Sequence, residues 1–200
     1  MQRVHSVLPV LVLAFGLIPL TAAAGPITYT EAFTATGTVN GTPFDGAVTF
    51  TLSTDTTLVF GNCLGLSGIF CTPDGTASFS IQGIGAGAFT DRFGVFDNQN
   101  NALAGFNDSN IQEDIVDLSN SAFFTYDLKS AIGPLDSTFR FVDTGQRLGS
   151  TLGIVILDSV SGTPTFAATT QGTTPEPGSL VLFGSGLVGM AAVIRRKLKI

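Results

Sequence analysis

The residue types that most often perform catalysis are nearly absent from this sequence. Its only histidine is His5, so the whole stretch from residue 25 onward has none. That stretch can form neither a Ser-His-Asp nor a Cys-His catalytic centre, and it offers no histidine ligand for zinc. The sequence therefore predicts a protein that is not an enzyme and that needs no cofactor.

Paired carboxylates are the remaining route to catalysis, since two of them can cleave a glycosidic bond. The acidic residues are dispersed along the chain except at Glu113 and Asp114, with Asp117 close behind them. No tryptophan is available to stack on a sugar ring, and the only tyrosines are Tyr29 and Tyr126. A hydrolase is therefore an alternative that the composition disfavours.

Two stretches, residues 97–101 and 107–110, are dense in the side-chain oxygens that Ca²⁺ binds. Asp97 and Asp108 are their candidate carboxylate ligands. The spacing does not match an EF-hand, which has glycine at its sixth position, and Asn and Asp also form turns without any metal. We predict no metal site and keep these two aspartates as the residues of a calcium-binding alternative.

The two cysteines, Cys63 and Cys71, have seven residues between them. This spacing fits neither a redox C-x-x-C pair nor a metal knuckle. In an oxidising compartment we expect them to form a disulfide, which in the chain-entropy description stabilises the fold by about 2–3 kcal/mol. Two free thiols are the alternative.

The N-terminus has the pattern of a secretory signal peptide over residues 1–24. Arg3 gives a basic start, residues 7–20 are mainly apolar, and small residues follow. Ala22 and Ala24 fit the A-x-A rule for signal peptidase, with cleavage after Ala24. An uncleaved anchoring helix is the alternative.

The C-terminus contains a second apolar segment. Residues 178–194 hold no charge and would cover about 25 Å as a helix, the thin end of a bilayer core. A basic cluster follows directly, made of Arg195, Arg196, Lys197 and Lys199. Because cationic residues beside a span stay on the cytoplasmic side, this order predicts a transmembrane helix with the preceding domain on the exported side.

Pro175, Glu176 and Pro177 lie immediately before this segment. Neither proline can join a helix interior, and each favours an extended conformation in the residue before it. The tripeptide, the apolar span and the basic cluster together resemble the PEP-CTERM sorting signal, over residues 174–199. The resemblance implies that an exosortase, a membrane-embedded transpeptidase of certain Gram-negative bacteria, recognises Pro175, Glu176 and Pro177.

These segments divide the chain into a signal peptide at 1–24, an exported domain at 25–168, a polar tether at 169–174 and the sorting signal at 175–200. Residues 25–174 carry 14 acidic and 4 basic side chains, a net charge of −10 against −6 for the whole chain. An anionic domain repels nucleic acid, so we expect no nucleic-acid partner.

The exported domain alternates apolar and hydroxyl residues, which predicts an all-β fold. Residues 33–39 and 47–53 are predicted to form a hairpin around a turn at 40–46. Residues 111–118 fit either a short helix or a strand. Short strands separated by Gly, Asn and Asp indicate an antiparallel β-sandwich, Greek-key or jelly-roll-like. The other predicted strands are residues 76–83, 88–96, 121–128, 137–142, 149–159 and 163–169.

We expect an exported, non-enzymatic protein of the cell surface or extracellular matrix, in the envelope of a Gram-negative bacterium. Its partners would be signal peptidase, an exosortase-type enzyme and the membrane, and the resemblance implies a link to exopolysaccharide or biofilm. A carbohydrate-binding module and a calcium-dependent adhesion module are the alternatives. A single-pass, membrane-anchored periplasmic protein is a further one.

Overall fold

The computed structural model of the protein describes residues 25–73, 75–110, 113–171 and Gly186. The signal peptide and the sorting signal that the sequence predicts therefore lie outside the described residues, Gly186 excepted. In the described part of the chain, no helix is long and apolar enough to cross a bilayer.

Thirteen strands and three short 3₁₀ helices make up the described residues. The strands are β1 (Pro26–Val39), β2 (Thr42–Asp55), β3 (Phe60–Gly61), β4 (Ile69–Thr72), β5 (Thr76–Ile81), β6 (Gly85–Ala88), β7 (Phe93–Asn98), β8 (Leu103–Asp108), β9 (Glu113–Ser119), β10 (Ile132–Asp136), β11 (Thr138–Val142), β12 (Leu148–Ser150) and β13 (Gly153–Thr170). The 3₁₀ helices are Thr56–Leu58, Cys63–Gly65 and Ser121–Phe124.

The strands form two antiparallel sheets with the core between them, so the predicted all-β sandwich is confirmed. The first sheet has seven strands in the order β10-β13-β1-β2-β5-β6, with β12 also pairing with β13. The second has six strands in the order β11-β9-β8-β7-β4-β3. The first and last strands of the domain, β1 and β13, are neighbours inside the larger sheet.

The alternation of β1 explains why its sequence forms a half-buried strand. Ile27, Tyr29 and Phe33 face the core and are buried, while the threonines between them point outward. Outward hydroxyls pair across strands, as Thr28 does with Ser53 at 3.0 Å. Such cross-strand pairs fix the register of a sheet whose outer side is polar.

The β1–β2 hairpin confirms the predicted pairing but not the predicted turn. Asn40 and Gly41 have φ values of 49° and 80°, which suits the left-handed positions of a two-residue type I′ turn. Thr42 already pairs with Val39. The turn predicted at 40–46 was therefore too long, because residues 42–46 continue the strand.

Phenylalanine rings join the sheets across the core. Phe50 of β2 meets Phe33 edge-on at a ring-centroid distance of 5.4 Å, and Phe106 of the facing sheet at 6.1 Å. Phe166 of β13 meets Phe123 edge-on at 5.3 Å. Edge-to-face pairs of this kind add to the stabilisation from apolar burial.

Two of the predicted strands do not exist as single strands. Residues 88–96 do not form one strand, because β6 ends at Ala88 in one sheet and β7 begins at Phe93 in the other. Residues 121–128 were predicted as a strand but begin with the 3₁₀ helix Ser121–Phe124. The Asn120 side chain caps this helix by accepting a 2.9 Å hydrogen bond from the Ala122 amide.

Other boundaries also differ from the prediction. The predicted strand at 149–159 is divided, because residues 149–150 belong to β12 and residues 151–152 form the turn before β13. From residue 153 onward, the two predicted strands form one strand, β13, with a register shift near Gly162 where a turn was expected. Thr169 and Thr170, assigned to the tether, are its last residues. Residues 113–119 form a strand, whereas the sequence pattern had also allowed a helix. Strands β3, β4, β8 and β10 were not predicted.

The described chain begins and ends at the same end of the sandwich, which we call the terminal pole. The Gln171 amide donates a 3.1 Å hydrogen bond to the Pro26 carbonyl oxygen. Beside it, the Gly25 amide donates to Thr56 Oγ1 at 3.0 Å, and the Thr56 amide donates back to the Gly25 carbonyl oxygen at 3.0 Å. Any segment that precedes residue 25 or follows residue 171 therefore leaves from this pole.

Candidate functional site

Several of the site residues predicted from sequence lie outside the described residues. These are the cleavage-site alanines Ala22 and Ala24, the tripeptide Pro175, Glu176 and Pro177, and the basic cluster Arg195, Arg196, Lys197 and Lys199. The cysteine prediction is confirmed, because Cys63 and Cys71 form a disulfide that closes the loop between β3 and β4.

The two calcium candidates lie on one hairpin but not in one place. Asp97 of β7 pairs with Ala104, whereas Asp108 of β8 pairs with Phe93. Four residues of strand separate these positions, about 13 Å at 3.3 Å per residue. Asp108 Oδ1 accepts a 2.8 Å hydrogen bond from the Asn110 amide, as in an ordinary Asx turn. No cluster of three or more metal-ligating side chains occurs among the described residues.

The outer face of the six-stranded sheet, on the side away from the core, carries a second and smaller apolar cluster. Phe96 follows the core residue Val95 along β7 and so points to the opposite side, where it packs against the Cys63–Cys71 bridge. Ile69 and Leu103 are partly buried against the same cluster. The disulfide is thus part of a surface that the sheet presents to solvent.

An open groove of about 810 Å³ lies beside this cluster. We call it the acidic groove, and its lining residues are Leu103, Glu113, Asp114, Asp117, Arg140, Phe141 and Asp143. A cavity of about 280 Å³ adjoins it through Asp114, which lines both, and its other walls include Phe60, Phe96, Asn98 and Asn107. The acidic cluster noticed in the sequence therefore lines a real depression with an exposed aromatic ring, Phe141, on its edge.

Burial changes the protonation of the groove. It raises the pKa of Asp117 to about 7, with the neighbouring Asp114 carboxylate as the second cause. Burial also raises the pKa of Asp114. One carboxyl oxygen of Asp117 is buried and accepts no hydrogen bond. At neutral pH this group can therefore both donate and accept hydrogen bonds, which is the behaviour that sugar hydroxyls require of a partner.

Two further carboxyl groups face the core, and the sequence analysis assigned them no such position. Both oxygens of Glu31 are buried without a hydrogen-bond partner, on the inward side of β1 between Tyr29 and Phe33. Burial, and secondarily Asp117, holds the pKa of Glu31 well above its usual range. The sequence did contain a signal for the burial of Glu31. It lies two residues before Phe33, so the alternation of β1 places both side chains on the same, inward side.

Asp97 is the second interior acid. It has no exposed surface and its carboxyl oxygens have no hydrogen-bond partner. Burial raises its pKa to about 8, with the charge of Asp127 as the lesser cause. Burying an ionised carboxylate without a partner is costly, so the group is held neutral. This placement fits a buried acid facing the sandwich interior rather than a ligand exposed to an outside ion.

Comparison with known proteins identifies one segment of the chain. A family model, the PEP-CTERM protein-sorting motif, matches residues 173–197. No curated protein matches the chain, and no solved structure does either. The chain thus carries a PEP-CTERM sorting motif, as the resemblance predicted. The motif implies an exported protein of a Gram-negative cell envelope that an exosortase sorts and processes.

The buried acids predict an unusual dependence of stability on pH. Because the pKa values of Asp97 and Asp117 are raised, the folded state binds more protons than the unfolded state between about pH 4 and pH 8. Stability is therefore highest near the acidic end of this window and falls as pH rises through it. Asp97→Asn should raise the melting temperature at pH 8 and change it little at pH 5, as measured by calorimetry.

The matched control for this experiment is Asp158→Asn, which alters an exposed carboxylate on β13. It should leave the slope of melting temperature against pH as it is in the parent protein. A parent protein whose melting temperature stays level or rises from pH 5 to pH 8 would contradict the assignment of neutral interior acids.

Proposed function

We propose that the protein is an exported, non-enzymatic component of the bacterial cell surface or extracellular matrix, held temporarily in the inner membrane by its C-terminal segment. The observation that carries the proposal is the sorting motif at residues 173–197. It follows directly after β13, the strand that closes the domain at Thr170. The resemblance adds a link to exopolysaccharide or biofilm.

The proposed sequence of events follows from the chemistry of the two ends. Signal peptidase would cut after Ala24, so that Gly25 becomes the first residue of a domain already paired through Thr56. Residues 178–194 would then stop in the membrane, with the basic cluster on the cytoplasmic side. The extended tripeptide from Pro175 to Pro177 would lie just outside the bilayer, where an exosortase reads its backbone.

The non-enzymatic assignment is supported by what the domain offers for catalysis. It has no histidine. Of its carboxyl groups with a resolved upward pKa shift, Glu31 and Asp97 face the core and Asp114 and Asp117 line the acidic groove. Among the described residues, the lining of the groove has no Ser, Thr, Cys or Lys to act as a nucleophile. Its carboxyl groups, among them Glu113, Asp114 and Asp117, leave a hydrolase as the disfavoured alternative.

The test of this function is whether tail removal depends on both the motif and the enzyme. Pro175, Glu176 and Pro177 are changed together to alanine, and the protein is also expressed in a strain that lacks exosortase. Intact mass and membrane fractionation are then measured. We expect the parent protein to lose the tail and to leave the membrane fraction. The alanine variant should retain the tail and stay in the membrane fraction. The parent protein in the deletion strain should do the same.

The control variant carries Gln171→Ala and Gly172→Ala, which change the same stretch of chain outside the matched residues. It should be processed like the parent. If the mature C-terminus is identical in every strain and variant, the protein is a plain single-pass anchored protein of the periplasm.

The acidic groove favours a second candidate function, the binding of polysaccharide. It combines the exposed ring of Phe141 with the carboxyl groups of Asp114 and Asp117, and a sugar ring needs an apolar face and polar edges in this way. The acidic surface favours neutral over anionic polysaccharides. The calcium-dependent alternative has less support, because Asp97 and Asp108 are at separate positions.

Phe141→Ser should weaken binding of the processed protein to neutral envelope polysaccharide about tenfold, equal to about 1.4 kcal/mol, because the apolar platform is lost. Binding is measured by calorimetry or on a glycan array. Leu152→Ser removes a similarly exposed apolar side chain in the β12–β13 turn, outside the groove lining, and should bind like the parent. Equal affinity of both variants would rule out the groove as the binding site, and no binding by the parent would rule out the function.

A further inference from the structure

The segment that links β2 to β4 exposes apolar side chains in a way that the proposed function does not use. We call residues 56–68 the apolar loop. No charged residue occurs between Asp55 and Pro73. Four large apolar side chains of the loop are exposed, namely Leu58 (48%), Phe60 (44%), Leu64 (75%) and Leu66 (53%). Clustered exposure of this kind marks an interaction site in a soluble domain.

The apolar loop is held in an ordered conformation that points these side chains outward. The Cys63–Cys71 disulfide fastens it to β4. The Leu66 amide donates a 3.0 Å hydrogen bond to the Cys63 carbonyl oxygen. Leu64 has a φ of 55°, a left-handed conformation that costs a side-chain-bearing residue free energy. The fold thus maintains a strained residue at the loop tip with its side chain in solvent.

Both ends of the apolar loop lie at the terminal pole, while Cys63 near its middle is fastened to the outer face of the six-stranded sheet. Its first residue, Thr56, is hydrogen-bonded to Gly25 in both directions. Its last residue, Gly68, accepts a 2.9 Å hydrogen bond from the Gln99 amide. The Gln99 side chain in turn donates to the Tyr126 carbonyl oxygen at 2.8 Å. These contacts tie both ends of the loop to the part of the sandwich where β1 begins.

The other contacts of this pole place the exit of the chain beside the loop. Tyr29, near the start of β1, donates a 2.5 Å hydrogen bond to the Leu128 carbonyl oxygen, in the same segment that Gln99 contacts. The Gln171 amide bonds to the Pro26 carbonyl oxygen at 3.1 Å. The chain that leads to the sorting motif therefore leaves from the pole at which the apolar loop begins and ends.

The length of the connecting chain limits how far this pole can be from the membrane. Seven residues, 171–177, separate β13 from the apolar segment that starts at residue 178. A fully extended chain covers at most about 3.6 Å per residue, or about 25 Å in total. With residues 178–194 in the bilayer, the terminal pole cannot be farther from the membrane surface than this.

We propose that the apolar loop contacts the bilayer directly, with Leu58, Leu64 and Leu66 entering the interfacial layer on the exported side. The inference rests on the proposed membrane anchoring of the tail. An uncharged loop is the surface that this anionic domain can bring to a membrane at least electrostatic cost. The tether gives the loop a high local concentration at the bilayer, so an individually weak insertion becomes populated.

Lipid contact by the loop has a consequence for processing. A loop seated in the interface holds the terminal pole against the membrane and restricts residues 171–177 to the layer just above it. This is the layer in which a membrane-embedded exosortase meets its recognition tripeptide. The domain would dissociate from the bilayer once the tail is removed, because the apolar loop alone lacks the second anchoring signal that stable attachment requires.

The chain has no tryptophan, so a single introduced indole reports on one position. The full chain carrying Leu64→Trp is reconstituted in vesicles of phosphatidylethanolamine and phosphatidylglycerol, with and without brominated lipid. We expect blue-shifted emission that brominated lipid quenches. The control is Leu152→Trp, in the β12–β13 turn near Asn40 at the opposite pole. It should emit at the wavelength of a solvent-exposed indole and resist quenching.

Each outcome separates the inference from the function on which it rests. Flotation of the same vesicles first reports whether the chain is anchored; a chain that does not float overturns the anchoring and the loop contact together. A chain that floats but whose Leu64→Trp emission matches the control overturns the loop contact alone. Emission that is blue-shifted, dependent on protein concentration and not quenched by brominated lipid assigns the loop to a second copy of the chain, and also overturns lipid contact.

Discussion

The antiparallel pairing of β1 with β13 is the constraint on which the rest of the structure depends. It joins the first strand of the domain to the last, from Ile27 opposite Thr170 to Val39 opposite Val155. Because the sheet closes through its two terminal strands, the core can form only when the whole domain has been made and exported. The same pairing brings both chain ends to one pole, where the sorting motif begins shortly after the last strand.

The acidic residues divide into two groups with different physical roles. Those at the surface give the domain its negative charge, which repels nucleic acid. Glu31 and Asp97 face inward instead, where burial raises their pKa values and keeps them neutral. This interior arrangement trades stability at higher pH for polar groups inside an otherwise apolar core. Asp117 stands between the two groups, because it lines the surface groove and is still largely shielded.

Features that depend on a local residue pattern, or on export to an oxidising compartment, could be predicted from the sequence. The β1–β2 hairpin followed from alternation and turn residues, the Cys63–Cys71 bridge from export, and the sorting motif from three adjacent segments. The predictions that were wrong concern features that depend on contacts between residues distant in the sequence. Residues 88–96 were predicted as one strand because apolar residues recur at alternate positions within them. The chain passes from one sheet to the other between Ala88 and Phe93, and the rings of Phe89 and Phe93 stack at 4.1 Å, so apolar residues are needed there without a strand. In β7, the apolar Phe96 points to the outer face and the acidic Asp97 points to the core, which is the reverse of what their polarity predicts. Only the pairing of β7 within its sheet determines which side of the strand faces the core. The acidic groove depends on the packing of β8, β9 and β11, which no local pattern specifies.

The most direct test of this account is amide hydrogen exchange of the β1–β13 pair in the exported protein. If the terminal strands close the domain, the amides of residues 29–38 and 155–168 exchange together, at the slow rate set by global unfolding. Those of β2 should follow the same rate, since β2 lies on the other side of β1. The account is contradicted if β13 exchanges as fast as an unstructured peptide while β1 and β2 remain protected. In that case the domain would be complete without its last strand, and the two chain ends would have no fixed common pole.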